Sequence, residues 1–220
     1  MKKKIDRKFY TGNTLDISKK LLGKFLVVNK GSRKRVGMIV ETEVYLGPHD
    51  RAAHSFGGKM TPRTEVEYRE GGHVYIYMVY GMYWQFNIVT AGKDKPECVL
   101  VRAVQPITKI PSSKSQVPKK SQIKKNWKLV RQLADENWKL RDSKNLANGP
   151  GKLCNWLGLD KSFYGEDMVS SKRIWLEDRG VRVAKKDIVF SKRVNIDYAK
   201  QWKYKPWRFY IKGNEFVSKR

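Results

Sequence analysis

The stretch Val40-Glu41-Thr42-Glu43-Val44-Tyr45-Leu46-Gly47-Pro48, continued by Asp50 and by Ala52-Ala53-His54-Ser55, concentrates side chains that could do acid–base work. Apolar and polar residues alternate up to the break at Gly47-Pro48, the pattern of a strand with one buried face and a turn at its end. Alternation sends Val40, Thr42 and Val44 to one side and Glu41, Glu43 and Tyr45 to the other. Two carboxylates beside a phenol can hold a water and take its proton. A strand glutamate can equally be exposed, or buried merely to neutralise a cation, and spacing does not separate Glu41 from Glu43 as the base. Arg102, inside Cys98-Val99-Leu100-Val101-Arg102-Ala103-Val104, would be that cation. A guanidinium in an apolar strand is costly without an acidic partner. Glu43 or Glu41 is the economical one, and the arginine would lower the carboxylate's pKa and fix its geometry.

Tyr45, Tyr75, Tyr77 and His54 could each be core aromatics. Around two carboxylates they could form a slot that stacks a flat ring on both faces, with a cation–π contribution of about 0.5–2 kcal/mol if that ring is positive. Tyr80, before Gly81, would end its strand with parity opposite to Tyr75 and Tyr77, placed to act as a wedge in stacked bases. His49, His54, His73 and Asp50 do not have zinc-ligand spacing, and no cysteine pair lies near them, so no metal is expected. Gly149-Pro150-Gly151-Lys152 precedes a short apolar helix and could present N–H groups to a phosphate. It lacks the spacing of a nucleotide P-loop, so no cofactor is expected.

These residues need a scaffold. An Asn or Thr cap and Gly23 bound a helix over residues 13–22. Strands are predicted at Phe25–Val28, through Glu43, at Val74–Tyr80, Tyr83–Val89, Cys98–Val104, Arg173–Leu176 and Trp207–Ile211. The connection from Gly47 to Gly72 is long for a loop without elements of its own. Residues 108–126, rich in Pro, Ser and Lys, read as a mobile insertion. From Trp127 the period is helical, with Trp127, Val130, Ala134 and Trp138 on one stripe. With neither repeat nor linker, residues 1–220 are expected to form a single α+β domain with a mostly antiparallel sheet.

The chain has 220 residues, with 47 Lys and Arg against 21 Asp and Glu, a formal net charge of +26. Such a balance speaks about partners, and polyanions lead. Hydrophobic residues at 40% argue against disorder throughout. Cys98 and Cys154 are far apart, as in a reducing compartment. No apolar run approaches the roughly 20 residues that cross a bilayer, so a soluble intracellular protein without a membrane partner is expected.

The block from Val40 to Pro48 with Ala52-Ala53-His54-Ser55 closely resembles the signature of the alkyladenine (3-methyladenine) DNA glycosylase family. Val74-Tyr75-Ile76-Tyr77-Met78-Val79-Tyr80-Gly81-Met82-Tyr83, with Asn87 downstream, resembles its second block. Leu100-Val101-Arg102-Ala103, Asn148-Gly149-Pro150-Gly151-Lys152-Leu153 and Lys205-Pro206-Trp207-Arg208-Phe209-Tyr210 resemble further blocks in the same order. The resemblance implies a mixed α/β domain with a curved antiparallel sheet flanked by helices, and a metal-free monofunctional glycosylase. It implies that Glu43 activates a water and Arg102 helps place it, while Tyr45, His54 and Tyr77 line the pocket of a base flipped from duplex DNA. Tyr80 would intercalate, and Asn87 would obstruct the amino group of guanine. Gly149, Gly151 and Lys152 remain phosphate candidates, and the protein is expected to work as a monomer on duplexes holding alkylated or deaminated purines. One departure is Thr64-Glu65-Val66-Glu67-Tyr68, which puts two acids in a loop expected near DNA. Two rivals are a damage sensor that does not cut and a metal-dependent nuclease using Glu41, Glu43 and Asp50. A water at Glu43 also requires a cavity reachable from the basic surface.

Overall fold

A computed structural model describes residues 3–107 and 146–219. The Lys-rich stretch 108–126 and the tryptophan stripe after it lie outside the described residues. The others build one open sheet of nine strands: β1 (Lys3–Lys4), β2 (Phe25–Lys30), β3 (Arg33–Leu46), β4 (Val74–Val79), β5 (Tyr83–Thr90), β6 (Glu97–Ile107), β7 (Ile174–Asp178), β8 (Ile188–Ser191) and β9 (Arg208–Ile211). Their order is β1-β7-β2-β3-β6-β5-β4, with β9 also beside β3 and β8 beside β9. Every pairing is antiparallel, as expected of an α+β chain. Helices α1 (Arg7–Tyr10), α2 (Thr14–Leu21) and α3 (Pro150–Leu157) accompany the sheet.

β3 is the spine. Of its 14 residues, those from Val36 to Leu46 run along β6 on one edge. The other edge is shared between β2, up to Met38, and β9, opposite Glu41 to Glu43. Between the pairs Ile39↔Val104 and Thr42↔Val101, Glu41 faces Ala103, and Val40 and Arg102 are each left over. These are two bulges, one per strand, and bulges re-aim side chains.

Directly opposed residues share a face. The row Glu43, Leu100, Asn87, Tyr75 crosses β3, β6, β5 and β4, with Tyr45 opposite Cys98 and Tyr77 opposite Gln85 on neighbouring rows. That face carries the polar chemistry. The opposite face carries Val44, Val99, Val101, Phe86, Ile88, Val74 and Ile76, part of a continuous core with Ile17 and Leu21 of α2 and Leu153 and Leu157 of α3. Thr42 is a polar member of the core face, and Ser18 of α2 donates to its Oγ1 at 2.9 Å. Asn13 caps α2 by accepting from the Asp16 N–H at 3.2 Å.

Two expectations change. The 47–72 connection contains three short 3-10 turns, Gly47–His49, Phe56–Gly58 and Glu65–Tyr68, so it is ordered by local hydrogen bonds rather than element-free. Strand β4 ends at Val79, which leaves Tyr80 in the turn, where strand parity has no meaning. β1, β8 and α1 were not anticipated, each being four residues or fewer.

Candidate active site

The bulge at Arg102 brings its guanidinium to both strand acids. Nε lies 3.3 Å from Glu41 Oε1, and Nη1 lies 3.4 Å from Glu43 Oε2. Burial works against the cation, yet Glu43 and Glu41 outweigh it and hold the Arg102 pKa above its ordinary value. The partners of the two acids separate their roles. Glu41 accepts from Arg208 Nη1 at 2.8 Å and from the Ser218 N–H at 2.6 Å, so it ties β3 to β9 and the C-terminal segment. Glu43 accepts from the Val194 N–H on Oε1 at 2.8 Å and from the Tyr45 hydroxyl on Oε2 at 3.0 Å. Glu41 is a structural anchor, and Glu43 faces the aromatic cluster.

The expected slot residues gather beyond Glu43. His54 Nδ1 and the Tyr75 hydroxyl are 2.6 Å apart, and the His54 and Tyr77 rings meet edge-to-face at 4.5 Å. Tyr75 and Tyr77 lie 5.2 Å apart. Burial holds the His54 pKa down to about 4, with Arg63 adding to the effect, so the ring is neutral at ordinary pH. Burial likewise raises Tyr45, with Glu43 adding, and raises Tyr75 and Tyr77. Arg63 was not expected here. Its guanidinium lies 4.8 Å over the Tyr77 ring, and one of its nitrogens is 3.3 Å from His54 Nε2. Tyr198 was also missed. Burial of its phenol raises its pKa, and Arg193, Asp50, Glu43 and Arg63 all act on it electrostatically.

Glu43 is 0% exposed, although Tyr45 and Tyr77 around it are half-buried and Tyr198 is exposed. A broad groove of about 660 Å³ lies among β1, α2 and β7, and none of the site residues line it. Arg63 lies on the Tyr77 side of this cluster, over the ring face.

Asn87 is on the same face but deeper. It is 1% exposed, and its amide donates to the carbonyls of Tyr75 at 3.2 Å and Gln85 at 3.3 Å. Tyr80 is on the outside, 82% exposed. Tyr80 and Gly81 both have positive φ, 54° and 67°, and the Met82 N–H closes the turn onto Val79 O at 3.1 Å. A left-handed tyrosine is uncommon and strained. Met78, Met82 and Tyr83 are exposed beside it, making an apolar tip. The N-terminus of α3 adjoins that tip. A Cβ on Gly151 would come within 3.0 Å of the Tyr83 ring, so Gly151 permits the packing. Lys152 is exposed and donates to Asn148 Oδ1 at 3.1 Å.

Asp50 does not join the other acids. Arg193 grips it through both terminal nitrogens, at 2.5 and 2.9 Å, with both side chains fully buried. Arg193 also lies over the Tyr45 and Trp207 rings, at 4.8 and 5.2 Å. With Asp50 committed to Arg193 and Glu41 to Arg208, the donor set of the nuclease rival is dispersed. Among the described residues no group of three or more His, Cys, Asp and Glu is placed to hold a metal, and no helix is long and apolar enough to cross a membrane.

A buried carboxylate accepting from Val194, Tyr45 and Arg102 beside an aromatic cluster, on a chain of net charge +26, suits chemistry on a polyanion. Comparison with known proteins gives the family. The family model for methylpurine-DNA glycosylase matches residues 8–215. A Clostridium novyi protein is 42% identical over 99% of this chain and 100% of its own length. A Natranaerobius thermophilus protein is 38% identical over 98% of each chain, and a Bacillus cereus protein is 42% identical over 96% and 97%. The names of all three propose them to be 3-methyladenine DNA glycosylases. The chain belongs to the methylpurine-DNA glycosylase family and is a DNA N-glycosylase, a hydrolase acting on N-glycosyl bonds.

Proposed function

We propose that the protein turns alkylated or deaminated purines out of duplex DNA and cleaves the N-glycosidic bond with a water activated by Glu43, leaving an abasic site for base excision repair. The carrying observation is the clamp on Glu43: Oε1 on the Val194 N–H at 2.8 Å, and Oε2 shared by Tyr45 and Arg102. It fixes a carboxylate beside an aromatic wall that suits a purine.

The bond is inaccessible within a duplex, so extrusion comes first, at a few kcal/mol. The exposed tip with Tyr80 is the wedge that takes the vacated place in the stack. Lys152 and the backbone near Gly149 and Gly151 lie beside the tip and meet a phosphate. Arg63 lies over the Tyr77 ring in the free protein, and the incoming base displaces it from that face. An N-alkylated purine carries positive charge, exchanges for the Arg63 guanidinium on the Tyr77 face, and leaves without an acid. Glu43 stabilises the positive charge developing on the sugar and takes a proton from the attacking water. Arg102 keeps Glu43 oriented through its Nη1 contact to Oε2. Asn87, in line with Glu43 on the same face, disfavours purines carrying a 2-amino group. The partner is damaged duplex DNA, bound by one copy of the chain in the compartment that holds the genome.

The test is to incubate duplexes holding one N-alkylated adenine or hypoxanthine with the protein, with and without chelator. Free base and alkali-labile sites, unaffected by chelator, are expected. Tight binding without base release would make the protein a damage sensor, and chelator-sensitive strand breaks would make it a nuclease.

A further inference from the structure

Glu67 stands apart from the network above. It is 2% exposed, sits in the Glu65–Tyr68 turn, and reaches Cys98 of β6. Glu65 behaves as a surface acid and pairs with Arg69 at 3.7 Å; Glu67 reaches no cation at ion-pair distance among the described residues. Its Oε1 lies 3.7 Å from the Cys98 thiol, and its Oε2 has no hydrogen-bond partner among the described residues. Ser55, whose hydroxyl acts on Glu67, donates to the Pro96 carbonyl at 3.3 Å. The same Cys98 sulfur lies 4.0 Å from Asn87 Oδ1. Cys98 is 3% exposed, and burial followed by the Glu67 charge pushes its pKa far up, so it stays a thiol with one proton to donate.

A single S–H between two oxygens can serve one at a time. A charged carboxylate is a much stronger acceptor than a neutral carboxyl group. When Glu67 is ionised the thiol turns to Glu67; when Glu67 is neutral the thiol is free for Asn87 Oδ1. We propose that Glu67, Cys98 and Asn87 form a buried proton-linked relay that sets how firmly the Asn87 amide is held, and through it which purines the site accepts. The inference rests on the base-selecting place given to Asn87 above.

The surroundings of Glu67 make the relay respond near neutrality. Burial raises its carboxyl pKa to about 7, while Ser55, Cys98 and Arg63 pull the other way without prevailing. From β4 the facing titratable group is Tyr75, and from β6 it is Cys98. Tyr68 faces it within its own turn, and Tyr164 lies against the same turn. Tyr68, Tyr75, Tyr164 and Cys98 are all held above their ordinary values, so Glu67 is the member of this set that exchanges a proton around pH 7.

Hypoxanthine and guanine differ by the 2-amino group, so the ratio of their kcat/KM values reads Asn87 directly. From pH 6 to pH 8 the wild-type ratio should fall by about threefold, the size expected for one weak neutral hydrogen bond. Glu67→Gln should hold the ratio flat at its low-pH level, and Cys98→Ala should hold it flat at its high-pH level. A wild-type ratio that does not change with pH, or a Glu67→Gln protein that keeps the wild-type change, would overturn the relay. Infrared spectroscopy of the S–H stretch tests it without catalysis. The Cys98 band should shift between pH 6 and pH 8 in wild type and stay fixed in Glu67→Gln; a fixed wild-type band refutes the relay. Base release from no duplex at any pH would sink the glycosylase mechanism instead, leaving the S–H band to decide the relay.

Discussion

Replacing Glu43 with Gln keeps the shape and removes the charge, and the clamp shows where the amide must go. Oε1 faces the Val194 N–H, a donor, so the glutamine oxygen has to stay there. The new NH₂ then faces the Tyr45 hydroxyl, which can turn to accept, and the Arg102 guanidinium, which cannot. Arg102 keeps Glu41 at 3.3 Å, so its charge is not orphaned. The stability loss should fall below the about 3–5 kcal/mol of a broken buried pair, near about 1–2 kcal/mol. Loss of the base should slow chemistry by about 100-fold or more. Glu41→Gln is the contrast. It removes the acid shared by Arg102 and Arg208 and faces Ser218 N–H with the same difficulty, so the full penalty of about 3–5 kcal/mol applies. Single-turnover base release from a duplex with one N-alkylated adenine measures the first effect, and urea unfolding of both variants the second. Glu43→Gln releasing base at more than about one tenth of the wild-type rate, or proving the less stable of the two, would refute the division of roles.

Tyr80→Ala should leave folding untouched, because the side chain is 82% exposed. It should weaken binding to a lesion duplex by about fivefold or more, the value of one aromatic–base stack, by fluorescence anisotropy; unchanged affinity and base release would remove the wedge. Affinity should fall linearly with log salt at a slope of about −0.9 per phosphate neutralised, and a flat response would contradict the cationic partner argument. The His54 pKa, held at about 4 by burial and Arg63, lies below its unfolded value. Its contribution is fully present above pH ~6.5 and is lost as pH falls toward 4, because the unfolded imidazole takes up the proton more readily. The urea midpoint of His54→Asn should therefore fall less than that of wild type between pH 6.5 and 4; equal falls would place the acid sensitivity elsewhere.

What could be read in advance followed from local rules. Alternation located β3 and its polar face, and the isolated guanidinium in an apolar strand announced its acidic partners. Its sharing between Glu41 and Glu43 was not legible, because Arg208 and Ser218, which claim Glu41, arrive from β9 and the C-terminus. Val194, Arg193 and Tyr198 come from a segment with positive φ at Asn195 and Lys200 and no periodicity, so no pattern pointed at Glu43. Two acids at 64–68 looked like a DNA-facing defect; the 3-10 turn sends Glu67 inward instead, and a turn of that length leaves no repeat to detect. Arg63 folds back across nine residues onto His54, a contact that spacing in a glycine-rich loop does not specify.

The bulges at Val40 and Arg102 carry a lesson for anyone wishing to transplant this centre. Each is one surplus residue, and the ladder between β3 and β6 resumes its earlier register because the surpluses cancel. Deleting either alone would invert one half of its strand relative to the other, and on β3 that would move the carboxylates toward the oily side. Deleting both would heal the ladder but remove the guanidinium that Glu41 and Glu43 share. The acid–arginine couple is thus portable only as a matched set of irregularities, and a smoother sheet would be a poorer enzyme.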